Sequence, residues 1–518
     1  MLIMKTIKSF SQFVLIVLFL ISCKTGSQYT ATTSLERNTP EAEGVSSEAI
    51  LTFLDSADAS IHEFHSIMIL RHGKVIAEGW WTPYSPDLRH TLYSTSKSFT
   101  STATGFAVNE GFISVEDKVA DFFPNDLPEV VSPFLAEMTI KDLLTMSVGM
   151  DPDPTFRRMS DSNWISAFLH TPVLYEPGTR FLYNSLATYM LSAIVQKETG
   201  EKIVDYLTPR LFEPLGIEGM DWEEDPMGIN TGGWGLRLKT EDMAKFGQLL
   251  LQKGDWNGDQ IISSEWVEEA TTFKIDQYPG ARQSQRDSSD WLQGYCYQFW
   301  RCRNNAFRAD GAYGQYIIVM PDQDAVVAIT SESSNMQDQI NLVWKYILPA
   351  FQSGPLPANA EAADRLKSRL ASLKIEPPVP GKSTMASQMN PVRYTLSPNP
   401  LQIGTIAFEM TDSACNVTLA VAGKEYKHTY GAGKWVTDET GRPGPSLTGP
   451  VKITDSFKVA GAYSWKDDNT LELVLSYIES PHHETITCKF DKEKISLNVA
   501  PSQAFGSYST SISGVKSN

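Results

Sequence analysis

Ser94 and Lys97 stand three positions apart in the segment from Tyr93 to Phe99, and their side-chain types suit nucleophilic catalysis. In a helix this spacing places both side chains on one face. A serine hydroxyl is a useful nucleophile only when a base removes its proton, and a lysine can be that base when burial lowers its pKa. The pattern therefore predicts Ser94 as nucleophile and Lys97 as general base. By itself Ser-x-x-Lys is common, and a capped helix with an exposed lysine is the alternative.

The sequence around this pair predicts the elements that position it. Serine and threonine favour the start of a helix because their hydroxyls satisfy free backbone N–H groups. The small and apolar residues that follow predict a buried helix that ends at Gly111. Further helices are predicted to start near Thr139, Ser185 and Thr240, so Tyr183 lies in a loop just before a helix.

Apolar segments at two distant places predict a sheet. Residues 66–70 and 75–77 indicate one β-hairpin, and residues 316–320 and 325–329 indicate a second. Their apolar residues do not alternate with polar ones, which predicts burial on both faces. Hairpins at both ends with helices between them favour an α/β fold of the α+β kind, in which helices cover an antiparallel sheet.

Changes in composition divide the chain into six segments. From about Val392, alternating runs separated by turn residues predict an all-β domain, either a sandwich or a small barrel. The predicted segments are a signal peptide (1–22), a polar tether (23–43), the helix-covered sheet domain (44–352), a linker with one short helix (353–388), the all-β domain (389–505) and a flexible tail (506–518).

The N-terminus has the pattern of an export signal. Lys5 and Lys8 precede an apolar run, residues 13–21, that is too short for a permanent membrane span. The sequence Leu20-Ile21-Ser22-Cys23 resembles the lipobox of bacterial lipoproteins, which implies cleavage before Cys23 and lipid on that residue. The expected location is the cell envelope, periplasmic or associated with the outer membrane. An ordinary cleaved signal with an incidental cysteine is the alternative.

Charge and histidine placement exclude some classes of function. The 518 residues carry a formal net charge of −17 without a basic stripe, which argues against a nucleic-acid partner. The histidines are scattered, and His482-His483-Glu484 indicates a solvated turn without partner ligands. We therefore predict no metal and no cofactor.

The remaining cysteines allow one disulfide. Cys296 and Cys302 lie on one extended run and are predicted to be too far apart to bridge. Cys415 and Cys488 each lie in a predicted strand, where a disulfide and two free buried thiols are both compatible with the sequence.

Several motifs together give a family resemblance. Residues 44 to about 350 resemble the serine β-lactamase and penicillin-binding-protein family, nearest its class C and esterase-like branch. The motifs are Ser94-x-x-Lys97 and residues 139–149, 177–183, 212–216 and 233–236, the last with the helix that starts at Thr240.

The resemblance implies roles for particular residues. Ser94 attacks a carbonyl, and Lys97 and Tyr183 share the proton transfers, with Tyr183 as general acid and base. The oxyanion hole lies at the backbone N–H groups of Ser94 and Ala312, beside Gly311.

Two motifs depart from the family pattern. Tyr183-Asn184-Ser185 replaces Tyr-x-Asn; this Tyr-x-Ser form resembles the aminohexanoate-oligomer hydrolases, and Ser185 is expected to hold Lys97 or a substrate amide. Ala309-Asp310-Gly311 replaces Lys- or His-Thr-Gly, so the cation that commonly binds a substrate carboxylate is absent at Ala309.

These observations predict a serine hydrolase that cleaves an amide or ester of a small or peptide-like substrate through an acyl-enzyme, and not an efficient β-lactamase. Two alternatives remain: a catalytically silent lipoprotein that binds peptidoglycan or peptide, and a penicillin-binding protein that deacylates slowly. The sequence assigns no chemistry to the all-β domain.

Overall fold

The computed structural model describes residues 34–446, 456–502 and 509–517. Its helices are α1 (Ser47–Asp58), α2 (Ser96–Asn109), α3 (Val119–Phe122), α4 (Pro133–Glu137), α5 (Ile140–Leu144), α6 (Thr155–Arg158), α7 (Trp164–Leu169), α8 (Ser185–Thr199), α9 (Ile203–Leu207), α10 (Thr240–Leu251), α11 (Ser264–Thr271), α12 (Gln283–Arg286), α13 (Met336–Leu342) and α14 (Ala360–Ala371).

The predicted helix starts are confirmed, and local capping explains them. Thr139 and Asp142 form a reciprocal capping box at the start of α5. The Asn184 side chain accepts a hydrogen bond from the Ala187 N–H at the start of α8. Each such cap contributes about 1 kcal/mol to helix stability. Helix α2 follows a 3-10 turn, Tyr93–Thr95, so Ser94 lies at the entry to the helix and Lys97 within its first turn.

The strands before residue 340 form one main sheet and two small ones. They are β1 (Glu63–Arg71), β2 (Lys74–Trp80), β3 (His90–Thr91), β4 (Asp221–Trp222), β5 (Leu236–Leu238), β6 (Asp255–Trp256), β7 (Asp259–Gln260), β8 (Trp300–Arg301), β9 (Phe307–Gly311), β10 (Gln315–Met320) and β11 (Ala325–Glu332). The main sheet has the order β2-β1-β11-β10-β9-β8 and is antiparallel throughout, as predicted.

Helices cover both faces of this sheet. On β1, Met68 and Leu70 pack into a core with helices α2, α5, α8 and α10, while Ile67 and Ile69 pack into a second core with α1 and α14. Burial of each such side chain stabilises the fold by roughly 1.5–3 kcal/mol. Two buried faces explain why the apolar residues of these strands do not alternate with polar ones.

The all-β region is a small closed barrel. Its strands are β12 (Val392–Leu396), β13 (Ile403–Met410), β14 (Ala414–Val421), β15 (Lys424–Ala432), β16 (Val436–Thr440), β17 (Phe457–Asp467), β18 (Thr470–Tyr477), β19 (His483–Asp491), β20 (Lys494–Pro501) and β21 (Thr510–Lys516). The order is β15-β14-β13-β12-β21-β20-β19-β18-β17-β16, and a parallel pairing of β15 with β17 closes a ring of nine strands. Of the two predicted forms, the barrel is therefore the one found.

The expectation of a flexible tail over residues 506–518 is wrong for most of that segment. Residues 510–516 form β21, which pairs with β12 on one side and β20 on the other. The Ser/Gly-rich composition concealed an alternating pattern whose inward residue, Ile512, is buried in the barrel core.

The predicted tether and linker are also packed where the structure describes them. Leu35 is buried, and Arg37 forms ion pairs with Glu78 and Glu241, so residues 34–43 belong to the sheet domain. The predicted linker helix is α14, whose Leu366 lies in the core shared with α1. The signal peptide, Cys23 and residues 24–33 lie outside the described residues.

Cys415 and Cys488, for which the sequence allowed either a disulfide or two free thiols, are free thiols in the structure. Cys296, Cys302, Cys415 and Cys488 are all buried and unbridged. In the part of the chain that the structure describes, no helix has the length and apolarity required to cross a bilayer.

We predict that Ile512→Ala lowers the free energy of unfolding by about 2–4 kcal/mol, because it leaves a cavity in the barrel core. The measurement is urea denaturation of the purified mature chain. The matched control is Ser511→Ala, a change of an exposed side chain on the same strand that should stay within about 0.5 kcal/mol of wild type. Equal, negligible effects of both changes would show that β21 is not part of the stable barrel.

Candidate active site

Ser94 and Lys97 meet at the start of α2, as the spacing predicts. The Lys97 Nζ lies 3.2 Å from Ser94 Oγ, 2.9 Å from Ser185 Oγ and 2.5 Å from the Gly233 carbonyl oxygen. Ser185 was predicted to hold either Lys97 or a substrate amide, and in the structure it contacts Lys97. Added bulk at Gly233 would clash, since a Cβ there would lie 2.7 Å from the Ser185 carbonyl oxygen.

Burial sets the protonation of Lys97. The side chain is only 1% exposed, and its removal from water lowers its pKa to about 7, although Asp153 and Asp310 act in the opposite direction. A large fraction of Lys97 is therefore neutral near pH 7. A neutral amine can accept the Ser94 proton while its own N–H groups donate to the Gly233 carbonyl and the Ser185 hydroxyl.

Tyr183 lies beside both Ser94 and Lys97. Its ring stacks on Trp300 with a centroid distance of 5.7 Å, and Lys97 Nζ lies 4.9 Å from the ring centroid. Burial raises the pKa of Tyr183 well above its usual value, while a hydrogen bond with Ser94 acts to lower it. The phenol is therefore protonated at neutral pH. Of the two roles expected for Tyr183, general acid and general base, this favours that of proton donor.

The end of β9 closes the site from the sheet side. A Cβ at Gly311 would lie 2.2 Å from the Leu92 carbonyl oxygen, so only glycine allows this strand to approach the turn that carries Ser94. The approach brings Ala312 to the same cavity as Ser94 and Tyr183. The structure thus assembles Ser94, Lys97, Tyr183, Ser185, Gly311 and Ala312 in one place.

The sequence did not predict the aromatic wall of the cavity or the ion pair of Asp310, which lines the cavity, with Arg308, which does not. Arg308 and Asp310 share one face of β9, and Arg308 Nε donates to Asp310 Oδ2 at 2.7 Å. The Arg308 guanidinium also lies 4.4 Å from the ring centroid of Trp291 and 5.6 Å from that of Trp300. Asp310 stood within a predicted motif and so could have been noticed, but the tryptophans carried no local signal.

The residue at the expected cation position faces away from this wall. Ala309 is 1% exposed and lies in the core beneath the sheet, because it alternates with Arg308 and Asp310 along β9. The cavity has a volume of about 550 Å³, and of the described residues that line it none is a lysine or an arginine.

His482 and His483 do not form the solvated turn that we expected. His482 is buried, and its Nδ1 lies 2.6 Å from Glu332 Oε1. His483, Glu332 and Glu63 each place one potential ligand atom within 4.8 Å of the others, so these three residues could hold a metal ion. Glu63 and Glu332 are direct partners across the sheet, and each contacts a histidine, Glu63 through His65 and Glu332 through His482.

Known proteins are similar to this chain over part of its length. The chain is 25% identical over 317 residues to the 6-aminohexanoate-dimer hydrolase of Paenarthrobacter ureafaciens, covering 56% of this chain and 78% of that protein. It is 26% identical over 142 residues to a candidate D-alanyl-D-alanine carboxypeptidase of Escherichia coli K12, covering 24% of this chain and only 33% of that protein.

One solved structure shares the fold of the first part of the chain. A candidate 6-aminohexanoate-dimer hydrolase from Bacillus anthracis superposes with a TM-score of 0.51 and 21% identity, covering 62% of this chain and 89% of the other. The family model described as Beta-lactamase matches residues 64–349, more than half of the sequence. The chain therefore belongs to the beta-lactamase family and is a serine hydrolase.

Proposed function

We propose that this hydrolase cleaves a neutral, largely apolar amide or ester, with Ser94 as the nucleophile. The observation that carries the proposal is the buried Lys97 Nζ, 3.2 Å from Ser94 Oγ and with its pKa lowered to about 7. A lysine held neutral beside a serine at the mouth of a cavity has a direct use in acyl transfer. A lysine that only capped a helix would not need to be buried.

The proton transfers follow from the protonation states. Neutral Lys97 accepts the Ser94 proton as the Ser94 Oγ bonds to the substrate carbonyl carbon and the carbonyl oxygen becomes an oxyanion. Tyr183 donates its proton to the leaving amine or alcohol as the bond to the carbonyl carbon breaks, and Lys97 returns a proton to Tyr183. A water molecule then attacks the acyl-enzyme, and the same groups release the acid and restore Ser94.

The oxyanion requires donors that are fixed before the reaction begins. The backbone N–H groups of Ser94 and Ala312 are the proposed donors. Gly311 supports this role, because its lack of a side chain is what lets the end of β9 approach the turn before Ser94.

The cavity wall supports a substrate without a carboxylate near the scissile bond. Trp291, Trp300 and Met336 offer apolar surface, and the described residues of the lining include Asp310, paired with Arg308, but no lysine or arginine that could bind a substrate carboxylate. The similarity to a 6-aminohexanoate-dimer hydrolase supports an amide as substrate class. Penicillins carry a carboxylate beside the lactam, so we expect them to bind poorly.

The first test uses two fluorescent probes on the mature chain, a general serine-acylating phosphonate and a penicillin, with Ser94→Ala as the control. We expect the phosphonate to label wild type but not Ser94→Ala, and the penicillin to label neither. Lasting penicillin labelling would instead indicate a slow-deacylating penicillin-binding protein. A folded wild-type chain that neither probe labels would favour the silent binding protein.

The lowered pKa of Lys97 predicts the pH dependence of acylation. The base acts in its neutral form, so the acylation rate should rise with pH, reach half its maximum near pH 7 and level off above it. Lys97→Arg, which stays charged, should lose at least about a thousandfold of this rate. The measurement is the second-order rate constant of phosphonate labelling from pH 5 to 9.

Tyr183→Phe is the comparison for this profile. The midpoint of its acylation profile should stay near pH 7, because Lys97 sets that midpoint. Cleavage of an amide should slow far more than cleavage of an activated ester, because the leaving group of the ester needs no proton. A Lys97→Ala enzyme that acylates at the wild-type rate would disprove the whole scheme.

We also propose that the protein is anchored in the cell envelope through lipid on Cys23, on the strength of the lipobox-like sequence 20–23. Cells grown with an alkyne fatty acid should yield a labelled protein in the membrane fraction. Cys23→Ala should abolish the label and move the protein to the soluble fraction. Equal labelling of both chains would refute lipid attachment at this residue.

A further inference from the structure

The turn between β18 and β19 of the barrel is buried against the segment that leads to Ser94. Glu479 is 4% exposed and His482 is 1% exposed. The Thr91 N–H donates to the Glu479 carbonyl oxygen at 3.0 Å, and the Tyr84 hydroxyl donates to the Ser480 carbonyl oxygen at 3.0 Å. The barrel therefore reaches within a few residues of the nucleophile.

His482 links this turn to both the sheet and the nucleophile turn. Its Nδ1 lies 2.6 Å from Glu332 Oε1, and its Nε2 lies 2.6 Å from the Tyr93 hydroxyl. Because a carboxylate only accepts, Nδ1–H donates to Glu332, which leaves Nε2 to share a hydrogen bond with the Tyr93 hydroxyl. Glu332 is held in turn by the Ser502 hydroxyl, which donates to it at 2.7 Å.

The same histidine ring contacts the other side of the oxyanion hole. Tyr313 packs edge-on against His482 with a centroid distance of 4.8 Å, and Tyr93 and Tyr313 lie 5.8 Å apart. Tyr93 immediately precedes Ser94, and Tyr313 immediately follows Ala312. One side chain of the barrel thus touches the neighbours of both proposed oxyanion donors.

Both tyrosines have backbone conformations that need outside support. Their φ angles are +46° for Tyr93 and +66° for Tyr313, in the left-handed region that residues with side chains seldom adopt. Such conformations persist where the surrounding structure holds them, and they place the following or preceding N–H group in a defined direction. Tyr93 and Tyr313 are both in contact with His482, which can therefore help to hold these conformations.

We propose that His482 is a positioning residue for the hydrolase: it fixes Tyr93 and Tyr313, and through them the spacing of the Ser94 and Ala312 N–H groups. The barrel then completes the active site of the sheet domain and is not an independent appendage. This inference rests on the proposed acylation of Ser94.

The test measures acylation in Tyr93→Phe and His482→Leu, made in the full mature chain. Tyr93→Phe removes one hydroxyl and keeps the ring contact with Tyr313. We expect the acylation rate constant at saturating activated ester to fall about tenfold to a hundredfold, because small displacements of catalytic groups have effects of this size. The ester concentration at half-saturation should stay near the wild-type value.

The double variant Tyr93→Phe/His482→Leu tests whether the two single changes slow acylation through the same hydrogen bond or independently of each other. If the hydrogen bond carries the effect, Tyr93→Phe should cause little further loss when His482 is already leucine. Rates are expressed per active site titrated with the phosphonate, so partial unfolding does not imitate a slower reaction. If His482→Leu fails to fold, Tyr93→Phe alone decides.

The matched control is His428→Gln, a change of another buried barrel histidine, whose ring contacts Tyr430. It should leave acylation unchanged even if it alters the melting temperature. Wild-type acylation rates in folded Tyr93→Phe and His482→Leu, with only a lowered melting temperature, would overturn the inference. A wild-type chain that is not acylated at all would refute the proposed function instead.

Discussion

Removal of the Lys97 amine from water is the constraint on which the active site depends. A shift of its pKa from 10.5 to about 7 corresponds to roughly 5 kcal/mol between the charged and neutral states. The fold supplies this unfavourable environment by packing α2 on all sides. Hydrogen bonds with the Gly233 carbonyl and the Ser185 hydroxyl hold the Lys97 nitrogen close to Ser94. The surrounding cores must therefore be rigid, because water admitted here would restore the charge and remove the base.

The same packing explains the proposed division of the proton transfers between Lys97 and Tyr183. Burial moves the pKa values of an amine and a phenol in opposite directions, since it favours the neutral form of each. Lys97 becomes able to accept a proton near neutral pH, and Tyr183 keeps one to donate. Two groups that would both be protonated in water thus become suited to the complementary roles that we propose, because of one apolar environment.

Local signals in the sequence predicted most of the sheet domain, and long-range contacts account for what was missed. The start of α2, the Thr139 cap and the non-alternating strands follow from neighbouring residues. The burial of His482 depends on Glu332 and Tyr93, which are 150 and 389 positions away in the sequence. Strand β21 was missed because short polar residues hide its alternation, and only its partners β12 and β20 define it as a strand. Asp310 appeared in a motif, yet its pairing with Arg308 required the strand geometry of β9.

The position of β21 in the barrel also has a consequence for the order of synthesis. This strand follows all the other barrel strands in the sequence but lies between β12 and β20, so each of those strands lacks a neighbour until residues 510–516 have been synthesised. The ring cannot close on a partly synthesised chain. If the barrel supports the catalytic turn, a truncated or nascent polypeptide would carry Ser94 and Lys97 without a finished site. Hydrolytic activity would then appear only after residues 510–516 have been synthesised and have inserted between β12 and β20.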